Sequence, residues 1–345
     1  MLAFVRGSLP GALLSAVLGA FLCALLTCPS PARAAPAAEP APHPADLDAA
    51  GIRALLALDC SRVSPADVAR LLVRGPTPRI ILLQGSLAVV TMEPFGRFLI
   101  AMGYPEQRIR DPRDGRLSQG SFGDSLTWAG TLAWYYETEG VMPMLIGHSQ
   151  GGMLAIRILY ELDGAFHDSI PVRDPLADAT LARTTIRDPR TGEARPVRGL
   201  TIGYVAALAT GKLPRILLGQ WDMIARLRRI PDTVDDFTGF SIPWDGIAGT
   251  LGDPEPYAAI GTARVRNVML PAGTSHIRLP DALHLAEDEV TRAWIEAWSP
   301  ETAFAPPAAA GVDTTNLLHA ADIWYSVKKH WCRAAQSVLA ARELH

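Results

Sequence analysis

The chain has 345 residues, of which 49% are hydrophobic and 19% charged, and its formal net charge is −3. This composition excludes a disordered chain, a collagen-like repeat and a small disulfide scaffold, and the length suffices for one large core or two modest ones. The near balance of 32 basic and 35 acidic residues gives no electrostatic reason to expect a nucleic acid or an anionic membrane as partner.

The first 34 residues have the three parts of a secretion signal. Arg6 supplies the positive start, residues 12–26 are apolar or small, and Ala32-Arg33-Ala34 provides a small-x-small cleavage motif. An uncleaved anchor is the alternative, because no charge occurs between Arg6 and Arg33. We expect cleavage after Ala34, a flexible Pro/Ala-rich leader over residues 35–46, and a secreted or periplasmic protein without a membrane span.

Cysteine usage fits this expectation. Cys23 and Cys28 leave with the signal, so Cys60 and Cys332 are the two thiols of the mature chain. Two cysteines in an oxidising compartment predict one disulfide, and two unpaired thiols are the alternative.

Residues 47–345 form one predicted domain of the α/β class. It begins with a helix at residues 64–75, with Ser64 as N-cap, Pro65 in the first turn and Gly75 beyond its end. Short apolar strands then alternate with amphipathic helices, which predicts about six mostly parallel strands covered by helices on both faces. The predicted strands are 79–83, 107–110, 141–146, 199–206, 237–242 and 265–270. The later predicted helices are 124–138, 152–162, 213–229, 282–297 and 317–339.

An insertion is predicted around residues 163–198, where the apolar periodicity lapses. Residues 184–197 resemble a hairpin around the turn Asp188-Pro189-Arg190-Thr191-Gly192.

The most informative motif is Gly147-His148-Ser149-Gln150-Gly151, which follows a predicted strand and opens a predicted helix. A turn this sharp needs glycines on both sides of the serine, because a Cβ at Gly147 or Gly151 would collide across the reversal. The Ser149 hydroxyl is thereby expected at the carboxyl edge of the sheet.

With this motif, the chain resembles the α/β-hydrolase superfamily, and its GHSQGG sequence is similar to that of secreted lipases and esterases. The resemblance spans about residues 79–298. It implies that Ser149 is a nucleophile, and that an acid and then a histidine follow it along the chain.

For the histidine, context favours His276, which lies in a loop just after the predicted strand 265–270. His284, His319 and His330 also lie far enough downstream, but they fall in helical patterns typical of surface or packed residues.

For the acid, Asp245 follows the strand 237–242 and precedes His276 by 31 residues. Asp222 is disfavoured by the helical spacing of the apolar residues around it. Asp235 and Asp236 are the remaining competitors.

The resemblance also requires donors for an oxyanion. The backbone N–H of Gln150 is one candidate. The second is the amide of Ser86, in the turn after the first strand, although Gln84 stands where the family often has His.

The expected function is therefore an exported carboxylic ester hydrolase that works through a Ser149-His276-Asp245 triad and an acyl-enzyme, with no metal and no cofactor. Trp221, Met223, Phe240 and Trp244 suit an apolar, lipid-like ester, whereas the arginines at 215, 226, 228 and 229 are expected on a solvated helix face. An acyltransferase or thioesterase would use the same triad, and a non-catalytic hydrolase-fold binding protein is a further alternative. The sequence does not determine an oligomeric state.

Overall fold

The structure is a computed structural model that describes residues 47–86, 90–250, 252–302 and 305–343. The predicted signal peptide (1–34) and leader (35–46) lie outside the described residues.

A five-stranded parallel sheet forms the centre of the described chain. The strands lie side by side in chain order, and pairs such as Leu83 with Gly147 and His148 with Leu208 fix their register. Since all strands run in one direction, the loops that follow them meet at one edge. The strands are β1 (Ile80–Leu83), β2 (Met144–His148), β3 (Ile202–Leu208), β4 (Val234–Ser241) and β5 (Arg264–Met269).

Helices cover both faces of this sheet. Successive residues of β1 alternate between two cores, because Ile80 and Leu82 pack in one cluster and Ile81 and Leu83 in the other. The helices in the described residues are α1 (Ala49–Leu56), α2 (Pro65–Arg70), α3 (Glu93–Ala101), α4 (Ser125–Glu139), α5 (Gln150–Asp163), α6 (Leu213–Leu217), α7 (Leu283–Glu287), α8 (Glu289–Ala297) and α9 (Leu317–Glu343). The first core includes residues of α3, α8 and α9, and the second includes residues of α4 and α5.

Local sequence signals explain several helix ends. Ser64 and Asp67 form the reciprocal capping box at the start of α2, with Pro65 in the first turn. Asp124 caps α4, and Gly140 ends it in the left-handed conformation.

The region predicted as an insertion contains two short antiparallel ladders, Arg173–Asp174 with Ala179–Thr180 and Thr185–Arg187 with Ala194–Pro196. Further along the chain, Arg229–Ile230 pairs in parallel with Ala258–Ala259 outside the main sheet.

The predicted strand at 107–110 is wrong. Residues Glu106–Arg108 form a 3-10 turn, so the main sheet has five strands where about six were expected. The buried Arg79 side chain donates to the carbonyls of Gln107 and Arg110, at 3.2 and 2.8 Å. These carbonyls therefore bind a guanidinium and not a neighbouring strand.

The long predicted helices are shorter in the structure. Residues 213–229 hold α6, a 3-10 turn at Trp221–Met223 and the start of the strand Arg229–Ile230. Gly219 interrupts the helix with a positive φ of 68°. The predicted helix 282–297 is divided at Asp288, whose side chain caps α8.

A disulfide joins Cys60 to Cys332, as predicted, with 5.4 Å between the two Cα atoms. It connects the loop after α1 to the middle of α9, across 272 residues of sequence. None of the helices in the described residues is both long enough and apolar enough to span a bilayer.

Candidate active site

Ser149 lies at a strained reversal between β2 and α5. Its φ of 52° and ψ of −111° are rare for a residue with a side chain, and such strain is typical of functional turns. Two hydrogen bonds hold the turn, because the Ser149 N–H donates to the Leu208 carbonyl at 2.7 Å and the Thr210 hydroxyl donates to the Ser149 carbonyl at 3.0 Å. The serine is thus fixed to the end of β3 as well as to its own strand.

The glycines around Ser149 are required by close backbone contacts. A Cβ on Gly147 would lie 2.4 Å from the backbone of Gly151, and a Cβ on Gly151 would lie 2.0 Å from the carbonyl oxygen of Leu83. Both distances are far below van der Waals contact. The chain can therefore make this turn only without side chains at these two positions.

His276 and Asp245 come together at the same edge of the sheet. Asp245 follows β4, His276 follows β5, and His276 Nδ1 lies 2.7 Å from Asp245 Oδ2. Both residues are buried. Burial favours the protonated form of Asp245, but hydrogen bonds from His276 and from the N–H groups of Ala248 and Ile247 outweigh it and lower the pKa of this carboxyl below its ordinary value. The carboxylate is therefore charged at neutral pH and fixes the imidazole with its Nδ1 protonated.

His148 connects the serine turn to the histidine loop. Its Nε2 donates to the carbonyl oxygen of His276 at 2.9 Å, and the centres of the two rings are 5.0 Å apart. Burial, with a smaller effect of the neighbouring His276, lowers the pKa of His148 to about 3, so this ring is neutral. His276 is thus held beside the residue that precedes Ser149. Within the described residues, the Ser149 hydroxyl and the His276 ring are not hydrogen-bonded to each other.

The two proposed oxyanion donors belong to the two segments next to the serine, the start of α5 and the turn after β1. Gln150 is the first residue of α5, and the N–H groups of a first helical turn have no partner within the helix. The turn after β1 runs beside Ser149, since a Cβ on Gly85 would lie 3.7 Å from Ser149 Cβ. The Ser121 hydroxyl donates to the Gly85 carbonyl at 3.1 Å, which orients the peptide whose N–H belongs to Ser86. In a trans peptide this N–H points away from the carbonyl.

Arg215 is the site residue that the sequence interpretation missed. It was expected on a solvated face, but only 1% of it is exposed, and its guanidinium donates to the side-chain oxygens of Gln150 and Gln220. No carboxylate pairs with it among the described residues. Burial lowers the pKa of Arg215 to about 10, which leaves it charged at neutral pH. Arg228 is also buried, and no signal in the local sequence distinguishes these two arginines from Arg226, which is partly buried, and Arg229, which is exposed.

The competing residues lie elsewhere. Asp222 forms an ion pair with Arg157 at 3.0 Å, and Asp236 lies 2.7 Å from the ring of His330. His284 and His319 bind backbone carbonyl oxygens of Asp313 and Leu279. None of these contacts involves Ser149.

Large apolar side chains are exposed on the segments that carry the site. Trp244 and Ile247 flank Asp245, Ile277 follows His276, and α6 exposes further apolar residues. Met223 and Phe240, which were expected to line an acyl pocket, are fully buried in the core. The exposed set comprises Phe122, Leu213, Ile216, Leu217, Leu218, Trp221, Trp244, Ile247 and Ile277, here called the apolar rim.

No family model and no curated relative matches this chain.

Proposed function

We propose that this protein is a serine hydrolase of the α/β-hydrolase type that cleaves carboxylic esters. The observation that carries the proposal is the placement of Ser149, on a strained turn between strand and helix, at the sheet edge where His276 and Asp245 are 2.7 Å apart. A strained serine, a buried carboxylate and a histidine in this chain order are the components of a nucleophilic triad.

In the proposed mechanism His276 accepts the proton of Ser149 through Nε2 as the serine oxygen attacks the ester carbonyl carbon. Asp245 stabilises the imidazolium that forms, and the N–H groups of Gln150 and Ser86 bind the negative oxygen of the tetrahedral intermediate. His276 then protonates the leaving alcohol, and the bond between carbon and alcohol oxygen breaks. Water, deprotonated by the same histidine, releases the acid from the acyl-enzyme and restores Ser149.

The apolar rim supports an apolar ester as substrate. Exposed tryptophan and aliphatic side chains next to a polar centre are typical of sites that bind apolar ligands. Esters with medium or long acyl chains therefore suit this site better than acetates.

Export to an oxidising compartment is part of the proposal. The N-terminal sequence carries a signal pattern, and the Cys60–Cys332 disulfide is of the kind that persists outside the cytosol.

The decisive experiment combines active-site labelling with an ester panel. Folded protein is treated with a fluorophosphonate probe, and p-nitrophenyl esters of increasing chain length are assayed with wild type, Ser149→Ala and the control Ser169→Ala, which changes an exposed serine. We expect the adduct on Ser149, turnover that falls by at least about 10³-fold in Ser149→Ala, and no change in the control.

Three results would contradict the proposal of an ester hydrolase. A folded wild type that neither labels nor hydrolyses any ester supports the non-catalytic binding protein instead. Faster product formation with added alcohols, with the ester of that alcohol as product, would identify an acyltransferase. A higher kcat/KM for acyl thioesters would identify a thioesterase.

A further inference from the structure

A cavity of about 470 Å³ opens at the amino edge of the sheet, opposite the edge that carries Ser149. It is bounded by the residues that precede β2, by the start of β3, by α9 and by the hairpin of the insertion. A strand rises about 3.3 Å per residue, so the seven residues of β3 separate the two edges by roughly 20 Å. This cavity is therefore distinct from the proposed active site.

One part of the cavity wall is apolar, and the rest is polar. Met142, Leu200 and Val338 line it together with Val141 and Ala334. Its volume lies within the range of about 300–1,000 Å³ that is usual for small-molecule sites. An apolar body of moderate size would fit this wall.

Three arginines stand at its rim, and Asp235 is the one carboxylate among the described lining residues. Arg190 donates to two neutral oxygens, the Tyr136 hydroxyl and the Ser337 hydroxyl, each at 3.1 Å. The bond to Ser337 holds the hairpin against α9. Arg333 lies one helical turn before Ser337, so its guanidinium and that of Arg190 share one side of α9.

The nearby carboxylates do not neutralise these cations. Asp188 pairs with Arg195 at 3.2 Å. Asp236, 3.6 Å from Arg333, is shared with Arg264 and Lys329. Among the described residues around the cavity, the carboxylates Asp188, Asp235 and Asp236 are therefore outnumbered by Arg190, Arg195, Arg333, Arg264 and Lys329.

We propose that this cavity binds a small amphipathic carboxylate. Its carboxylate would accept hydrogen bonds from Arg190 and Arg333, for which the planar guanidinium is suited, and its apolar body would lie on the wall formed by Met142, Leu200 and Val338. The hairpin of the insertion then forms one wall of a ligand site.

Octanoate and octan-1-ol are the matched probes, because they share a chain length and differ in charge. Titration calorimetry is performed on wild type, on Arg190→Gln/Arg333→Gln and on the control Arg62→Gln, whose side chain is 86% exposed and remote in sequence. We expect octanoate to bind wild type and the control equally, at least about tenfold more weakly to the double variant, and at least about tenfold more tightly than octanol.

Ala334→Trp provides a second test by filling the cavity without removing a charge, and it replaces the double variant if that protein does not fold. Loss of octanoate binding in Ala334→Trp supports the proposal. Equal affinity of octanoate and octanol, unchanged affinity in the folded variants, or a co-crystal with octanoate only at the Ser149 edge would overturn it. Ser149→Ala should bind octanoate at this cavity like wild type, so the result does not depend on the proposed hydrolase activity.

Discussion

Two pairs of histidine and aspartate in the described residues have the same spacing, a buried pair at the carboxyl edge of the sheet and a partly buried pair at the amino edge. His276 lies 2.7 Å from Asp245 at the carboxyl edge, and His330 lies 2.7 Å from Asp236 at the amino edge. Their surroundings differ. Among the described residues, Asp245 is bonded by His276 and two backbone N–H groups and by no lysine or arginine, whereas Asp236 is bonded by His330 and also by Lys329, Arg264 and Arg333.

The surroundings of the two histidine rings also differ. The His276 ring lies beside the serine turn, while the His330 ring stacks on Tyr204 with 5.4 Å between the ring centres. A proton acceptor needs a nucleophile within reach and a carboxylate that is free to stabilise its charge. In the proposed site these are Ser149 and Asp245, whereas the described part of the structure places no serine turn beside His330 and binds Asp236 to several cations, so the short distance alone does not define a catalytic site.

The largest effect is expected from matched asparagine substitutions in the two pairs. Asp245→Asn removes the charge that stabilises the imidazolium and should lower kcat for a p-nitrophenyl ester by about 10⁴-fold. Asp236→Asn should leave kcat within about threefold of wild type, because it is remote from the site. Comparable losses in both variants would refute the distinction between the pairs.

Removal of the disulfide should lower the stability of the protein and leave its kcat unchanged. The disulfide constrains α9, which carries His330, so Cys60→Ala/Cys332→Ala should lower the free energy of unfolding by about 3–5 kcal/mol. Urea unfolding measures the loss, and reduction of wild type with dithiothreitol should reproduce it. A tenfold fall of kcat in the folded variant would show instead that the tether shapes the carboxyl edge.

Asp236 should contribute to stability in a manner that depends on pH. Burial opposes its charge, but bonds from His330, Arg264 and Lys329 hold its pKa well below the ordinary value. A folded-state pKa below the unfolded one stabilises the protein above the unfolded pKa, and this stabilisation is lost as the pH falls. Asp236→Asn should therefore lower the free energy of unfolding by about 2–3 kcal/mol at pH 7.

The difference between wild type and Asp236→Asn should shrink as the pH falls below about 4. Unfolding midpoints in urea at pH 7 and pH 3 provide the measurement. A difference that stays constant over this range would mean that packing, and not charge, accounts for the effect.

The smallest effect is expected at Arg215. Its substitution by methionine releases the Gln150 side chain and removes a buried charge near the proposed oxyanion donor, which should lower kcat about tenfold with little change in KM. Arg97→Met, on an exposed helix face, is the control. If Arg215 acts through Gln150, the same substitution in a Gln150→Leu background should lower kcat much less. Additive losses would argue against that coupling.

Local patterns predicted the parts of the structure that depend on neighbouring residues. The capping box of α2, the strand-turn-helix around Ser149 and the parallel arrangement of apolar strands follow from short spacings and from glycine at positions that admit no side chain. The sequence also ranked Asp245 and His276 first, because each follows an apolar strand. Their roles in catalysis stay predictions.

Predictions from local patterns were wrong where a residue far along the chain determined the local structure. Residues 107–110 are not a strand, because Arg79 binds their carbonyls from β1's amino end. The helix predicted at 213–229 breaks at Gly219. The side chain of Arg215 is buried and donates to Gln150, a residue far from it in the sequence.

The amino-acid sequence by itself determined the fold class, the sharp turn at Ser149 and the cysteines that pair, since each depends on periodicity, on short-range sterics or on a small number of possible partners. Only the tertiary structure decided which of two equally spaced histidine and aspartate pairs lies beside the serine, which arginines are buried, and where a cavity forms between hairpin and α9. These features depend on distances between residues far apart in the chain, and such distances are set by packing of the whole sheet and its helices.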